Sequence, residues 1–283
     1  MKKSFTRVIS LLLCLTLFFF ADAALLNNAS AALLSPSEIV DAASKAFDSA
    51  EDIYQKITAM INEQREEEEG EGDGFEPHAP DIGESEKIIE ELEGYIERLQ
   101  NLISDISSLP DETDSSEGKT VRAVKDYLAM LSDIVSVMAE GSRYGIDLFK
   151  TMEAMDIGDG GFSSISAMAQ TCSGAAQKAL SIMEPVTPPV FLEATHGDLM
   201  THIYEFEKFA EDFVYAANLD DPLRIYSSIY RLRRINMMFG KCFDNLNSDS
   251  EAQSAQMKAH LNGPVMVLHD ELSANLKLLK GGE

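Results

Sequence analysis

Residues 88–110 read IIEELEGYIERLQNLISDISSLP, and the spacing of their apolar side chains decides the fold class. Apolar residues recur alternately four and three positions apart, at Ile88, Leu92, Tyr95, Leu99, Leu102, Ile106 and Leu109. This period places them on one face of an α-helix, and Ile89, Ile96 and Ile103 make that face wider than a coiled-coil seam. A face of this width is typical of a helix that packs in a bundle core, and Pro110 ends the helix.

The same spacing continues along the chain and predicts about seven helices. The first begins at Ser35-Pro36-Ser37-Glu38, where Ser35 is the expected N-cap, Pro36 the first helical residue and Glu38 the third. The predicted helices span about residues 36–61, 88–109, 121–152, 162–183, 196–217, 222–246 and 250–280, with a kink at Pro264. Because no strand-type alternation runs beyond about four residues, we expect an all-α, up-and-down helical bundle.

Residues 1–31 have the three parts of a secretory signal peptide. Lys2, Lys3 and Arg7 form a basic start, residues 8–20 are apolar, and small-x-small sites end at Ala23 and Ala31. The apolar run is shorter than the roughly 20 residues that span a bilayer. We therefore expect cleavage, export to the periplasm or the extracellular space, and no membrane span after cleavage.

The charge balance excludes some classes of partner. Among 283 residues, 23 are Lys or Arg and 48 are Asp or Glu, which gives a formal net charge of -25. Binding to nucleic acid or to an anionic membrane needs clustered cations, so this composition argues against both. Residues 63–93 hold 14 of the acids, and we expect a mobile acidic loop near residues 63–85.

The Pro-rich segment around residues 185–189 is the predicted domain boundary. It divides the chain into an N-terminal four-helix bundle over residues 32–184 and a C-terminal helical bundle over residues 190–283. A single continuous bundle is the alternative.

Two cysteines remain after the expected cleavage, Cys172 and Cys242. In an oxidising compartment they could form a disulfide. The alternative is a pair of buried thiols that pack as small apolar side chains. The sequence leaves both open.

Metal and haem ligands have only weak candidates. Glu193 and His196 form one Glu-x-x-His pair, whereas a carboxylate-bridged di-metal bundle needs this pair on two helices. His196, Met200, His260 and His269 are possible axial ligands for a haem held without covalent attachment. Since neither pattern is complete, we predict no cofactor.

One stretch of this acidic chain is basic. Five cations and no acid lie between Leu223 and Phe243, namely Arg224, Arg231, Arg233, Arg234 and Lys241. They either pair with acidic neighbours of the same bundle or contact an anionic partner.

Small residues predict a close helix crossing. Folding the chain back near residue 158 places Gly141 and Gly145 of the third helix opposite Cys172 and Ala176 of the fourth. Small side chains on both helices allow their backbones to approach closely. The alternative is a ligand cavity at the same place.

The sequence lacks the motifs of nucleophilic catalysis, such as a G-x-S-x-G turn or a Gly-rich phosphate loop. We therefore expect an exported, non-catalytic protein with a binding or structural role, and another extracytoplasmic protein as its partner. The alternative is a bundle that holds a metal or haem in its C-terminal half.

Overall fold

The computed structural model describes residues 34–70, 82–111, 114–157 and 162–281. Their helices are α1 (Pro36–Gly70), α2 (Ile82–Ser107), α3 (Ser116–Met155), α4 (Ile165–Met183), α5 (Glu193–Asn218), α6 (Pro222–His260) and α7 (Met266–Lys280). A short 3-10 turn over Val190–Leu192 precedes α5, and a π-helical turn over Leu261–Val265 joins α6 to α7. The described residues contain no strand, which confirms the all-α prediction.

The predicted number of helices needs one correction. The sixth and seventh predicted helices form one continuous helical segment from Pro222 to Lys280, so the described residues contain six such segments. The predicted break near Ser250 is wrong because residues 245–250 include neither Gly nor Pro, and their polar side chains lower helix propensity only slightly. At Pro264, the expected kink site, the helix makes its π-helical turn.

Two sequence predictions concern parts of the chain that are not described. The predicted signal peptide over residues 1–31 lies outside the described residues, and so does the acidic stretch over residues 71–81. The first and last residues of the predicted acidic loop are helical, since α1 continues to Gly70 and α2 begins at Ile82. None of the described helices has a stretch both long enough and apolar enough to cross a membrane.

The helix starts follow the capping rules that the sequence suggests. The Ser35 backbone N–H donates to the Glu38 carboxylate at 2.7 Å, and the Glu38 N–H donates back to Ser35 Oγ at 3.4 Å. This is the predicted capping box, and its hydrogen bond from the Ser35 backbone lowers the pKa of Glu38. Ser164 caps α4 in the same way by accepting from the Ala167 N–H.

The described helices divide into two compact units. The first contains residues up to Glu68, Tyr95–Asp133 and the chain from His260 onward, and the second contains Glu69–Gly94 and Ile134–Ala259. Helices α2 and α3 therefore each contribute one part to each unit. The Pro-rich segment at residues 185–189 lies within the second unit. The domain boundary proposed there, between residues 32–184 and 190–283, stays a prediction.

The core of the first unit is made of α1, the C-terminal part of α2, the N-terminal part of α3, and α7. Tyr127 lies at its centre, with its ring centroid 5.4 Å from that of Phe47 and 6.0 Å from that of His269. Lys125 of α3 donates to the carbonyls of Ser107 and Leu109, so it satisfies backbone groups at the C-terminal end of α2.

The core of the second unit is built on α4 and α5, which pack against each other, with α6 covering them. Phenylalanine rings line this core, at Phe206, Phe209, Phe213 and Phe239. Small side chains of α4, among them Ala169, Ala176 and Ala179, belong to the same core and allow the helices to pack closely.

Candidate interaction surface on helix α6

Helix α6 has one buried face and one opposite face that no other described residue covers. The buried face carries side chains three, four and seven residues apart, at Ile225, Ser228, Leu232, Ile235, Phe239, Cys242 and Leu246. Within this stripe Ser228 is buried, whereas the neighbouring apolar residue Ile229 is 46% exposed. Helix α6 thus packs in the core of the second unit through one stripe of buried side chains.

The opposite face carries large apolar side chains in solvent. Leu223 is 84% exposed, Tyr226 74%, Tyr230 71% and Met237 63%. Since they are three, four and seven residues apart, they share one face of α6. A shallow groove of about 640 Å³ lies along this face, lined by residues that include Tyr226, Tyr230, Arg233 and Met237.

The turn between α5 and α6 places exposed side chains of the two helices near each other. Asp220 takes a left-handed backbone conformation with φ of 51°, and Asp221 caps α6 by accepting from the backbone N–H groups of Leu223 and Arg224. The turn places the Arg224 guanidinium 5.7 Å from the ring centroid of Tyr215, a cation–π arrangement. Tyr215 and Leu219 at the end of α5 are also exposed.

The five predicted cations separate into two groups. Arg224 pairs with Asp221 at 3.2 Å and Arg231 pairs with Asp212 at 2.8 Å, so these two follow the expectation of neutralisation within the bundle. For Arg233, Arg234 and Lys241, all exposed, no carboxylate of the described residues lies within ion-pair distance. The uncompensated cations lie beside the apolar stripe.

This arrangement defines one surface, which we call the α6 face: Leu223, Tyr226, Tyr230, Arg233, Arg234, Met237 and Lys241. Large apolar side chains in contact with water lose their unfavourable hydration when a partner covers them. Tyr and Arg are also the side chains most enriched at the energetic centres of protein interfaces. Chemically, the face presents aromatic rings, aliphatic side chains and cations.

The sequence pointed to the cations of this face and missed its apolar residues. The signal was present, because Tyr226, Tyr230 and Met237 lie opposite the buried seam once Ile225, Leu232 and Phe239 are placed inside. A prediction that assigns one apolar seam to each helix therefore overlooks the second, exposed seam of α6.

The two cysteines lie in the core of the second unit. Both are buried, free thiols, which is the arrangement of the second alternative. Burial raises the pKa of Cys172, and burial together with the charge of Asp198 raises the pKa of Cys242 to about 11. The Cys242 thiol donates to the Thr195 carbonyl at 3.7 Å.

Glu193 and His196, the weak metal candidates, are not brought together with other ligands. Glu193 is exposed in the first turn of α5, while His196 Nδ1 lies 3.2 Å from the hydroxyl of Tyr144. Burial lowers the pKa of His196. Among the described residues, no group of three or more His, Cys, Asp or Glu side chains is placed to hold a metal ion.

The possible haem ligands fall in both compact units. His196 and Met200 belong to the second unit, and His260 and His269 belong to the first. His269 contacts Glu51 through Nε2 and Asp270 through Nδ1, and its ring stacks on Tyr54 at 4.8 Å between centroids. Both of its ring nitrogens therefore have protein partners.

The expected close crossing at Gly141 and Gly145 is wrong in its detail. Gly145 is exposed, and no atom lies within 4 Å of the position that a Cβ would take there. A Cβ on Gly141 would lie 3.7 Å from Phe191, an ordinary contact distance. On this stretch of α3 it is Tyr144, one residue before Gly145, that belongs to the same buried core cluster as Cys172 and Ala176. Compared with the prediction, α3 is rotated about its own axis. This rotation buries an aromatic ring, which stabilises the fold more than burial of two glycines would.

The fold and the α6 face together define a class, an all-α helical-bundle protein with an exposed basic and aromatic helix surface. No family model matches the chain, and neither a curated protein nor a solved structure matches it.

Proposed function

We propose that this chain is an exported helical-bundle protein with a non-catalytic binding role, and that its partner contacts the α6 face. Export rests on the basic start, the apolar stretch and the two small-x-small sites of residues 1–31. The expected partner is another extracytoplasmic protein.

One observation carries the binding role. Leu223, Tyr226, Tyr230 and Met237 are each more than half exposed on one side of a single helix whose other side is buried. Scattered exposed apolar residues are normal, whereas a contiguous group bordered by polar side chains marks an interaction site. The group is bordered here by the uncompensated cations Arg233, Arg234 and Lys241.

A non-catalytic role agrees with the environment of the reactive side chains. The raised pKa values of Cys172 and Cys242 keep both thiols protonated near neutral pH, and a protonated thiol is a poor nucleophile. His196 contacts the phenolic hydroxyl of Tyr144, and burial raises the pKa of this hydroxyl, so it stays protonated.

Site-specific photo-crosslinking in the cells that make the protein tests this proposal. A photoreactive amino acid at Tyr230 is expected to capture one defined partner, because the residue is at the centre of the α6 face. The matched control carries the same amino acid at Lys178, an exposed position on α4 of the same unit. Equal capture from both positions, or none from Tyr230, would contradict the proposal.

A further inference from the structure

We infer that the segment which binds the α6 face is an acidic amphipathic helix of the partner protein. This inference rests on the proposed function and adds the chemistry of the partner to it.

The charges of the face are complementary to an acidic segment. Arg233, Arg234 and Lys241 are exposed, and the part of the chain that the structure describes offers them no carboxylate within ion-pair distance. No acid occurs between Leu223 and Phe243 in a chain of net charge -25. Carboxylates of a partner would make charge-assisted hydrogen bonds to these groups, and the two arginines can each bind a carboxylate with two parallel bonds.

The spacing of the apolar side chains fits a helix. Leu223, Tyr226, Tyr230 and Met237 follow α6 for about 21 Å at 1.5 Å per residue. A helix laid along such a stripe presents its own apolar side chains every three or four residues, the usual pattern of helix-in-groove recognition. The groove of about 640 Å³ beside Tyr226 and Tyr230 gives those side chains a place to insert.

The shape and the total charge favour a narrow partner over a membrane. A flat anionic bilayer would bring its charge close to the rest of a protein that carries a net charge of -25. A single helix approaches only α6, and at physiological salt charges more than about 8 Å away are largely screened. An acidic helix therefore gains the local attraction without most of the repulsion.

Peptide binding to the full chain tests the inference. The probe is a synthetic helix of 22 residues with Leu at every third or fourth position and Glu elsewhere, and a second peptide carries Lys in place of Glu. The acidic peptide is expected to bind, and R233E with R234E is expected to weaken it about tenfold or more, as is Y226S with Y230S. The matched controls K178E and Y204S, exposed positions of the same unit, should leave its affinity unchanged.

Three results would overturn the inference. These are equal binding of the Lys peptide, binding of phosphatidylglycerol vesicles in place of the peptide, and self-association of the chain that the α6 variants abolish. The sequence of the segment crosslinked to Tyr230 separates this inference from the proposed function. If the crosslinked segment is basic or uncharged, the acidic-helix inference is contradicted and the proposed binding role stands. If no crosslink forms, the proposed binding role itself is contradicted.

Discussion

Cys172 and Cys242 are residues whose reactivity is changed by their buried environment. Both lie in the core of the second unit, and each has a raised pKa because burial disfavours the thiolate. A pKa of about 11 leaves roughly one Cys242 in a thousand ionised at pH 8, whereas an ordinary thiol of pKa about 8.5 is roughly one quarter ionised.

We therefore predict that neither thiol of the native protein reacts with a thiol-specific chromogenic reagent at pH 8. In denaturant both react, and Cys172→Ala removes one of the two signals. Rapid reaction of the native protein would contradict the buried arrangement. Failure of both to react in denaturant without a reductant would instead identify the disulfide that the sequence left open.

Gly145 and Ala139 are exposed and buried positions of the same helix, α3. Because a Cβ at Gly145 meets open space, Gly145→Ala should raise the free energy of unfolding by up to about 1 kcal/mol through helix propensity. Ala139 is fully buried, so Ala139→Leu should lower it by about 1–3 kcal/mol through overpacking. Denaturant titration measures the free energy of unfolding of both variants. A loss of stability in the Gly145 variant would support the close crossing that the sequence predicts.

For individual residues, helix capping can be predicted from the sequence better than side-chain packing can. Ser35, Pro36 and Glu38 act within one helical turn, so their arrangement follows from local spacing. The contact between Tyr144 and His196 joins residues that are 52 positions apart. No local pattern distinguishes it, because it depends on how α3 and α5 pack.

Among the elements, α6 carries the candidate site, and the turn before it sets the position of the site. Asp220 lies in the left-handed region at φ 51°, and the Asp221 side chain accepts from the N–H groups of Leu223 and Arg224. The turn thus fixes the first residues of the α6 face relative to Tyr215.

Substitutions in this turn should change stability in opposite directions. Asp220→Gly should raise the free energy of unfolding by about 0.5–1 kcal/mol, because glycine adopts positive φ without steric cost. Asp221→Ala should lower it by about 0.5–2 kcal/mol through loss of the cap. Thermal unfolding followed by circular dichroism checks both variants, and a destabilised Asp220→Gly protein would show that this residue does not hold a left-handed conformation.

The start of α6 can be predicted from the sequence, whereas its C-terminal extent cannot. Pro222 marks its start correctly, as the first residue after the Asp221 cap. The polar run at residues 245–250 resembles a break but continues the helix, and the Asp249 side chain accepts a hydrogen bond from Thr195 of α5. A contact 54 residues away in sequence therefore supports a stretch of modest helix propensity.

For the whole molecule, periodicity was enough to predict the all-α class, since it is a local property repeated along the chain. Periodicity does not say which helices share a core. Helices α2 and α3 each contribute to both compact units, and this division depends on long-range packing that no local pattern encodes. The α6 face lies between these two cases. Its cations are visible in the sequence, whereas the absence of ion-pair partners for Arg233, Arg234 and Lys241 among the described residues appears only once the helices are packed.

Chemical footprinting of tyrosines tests the central claim, that a partner covers the α6 face in the cell. In the purified protein, acetylation should modify Tyr226 and Tyr230 readily, since they are 74% and 71% exposed. In intact cells both should be protected, while Tyr204 on α5, exposed but outside the face, reacts equally in the two samples. Equal modification of Tyr226 and Tyr230 in cells and in the purified protein would contradict the account.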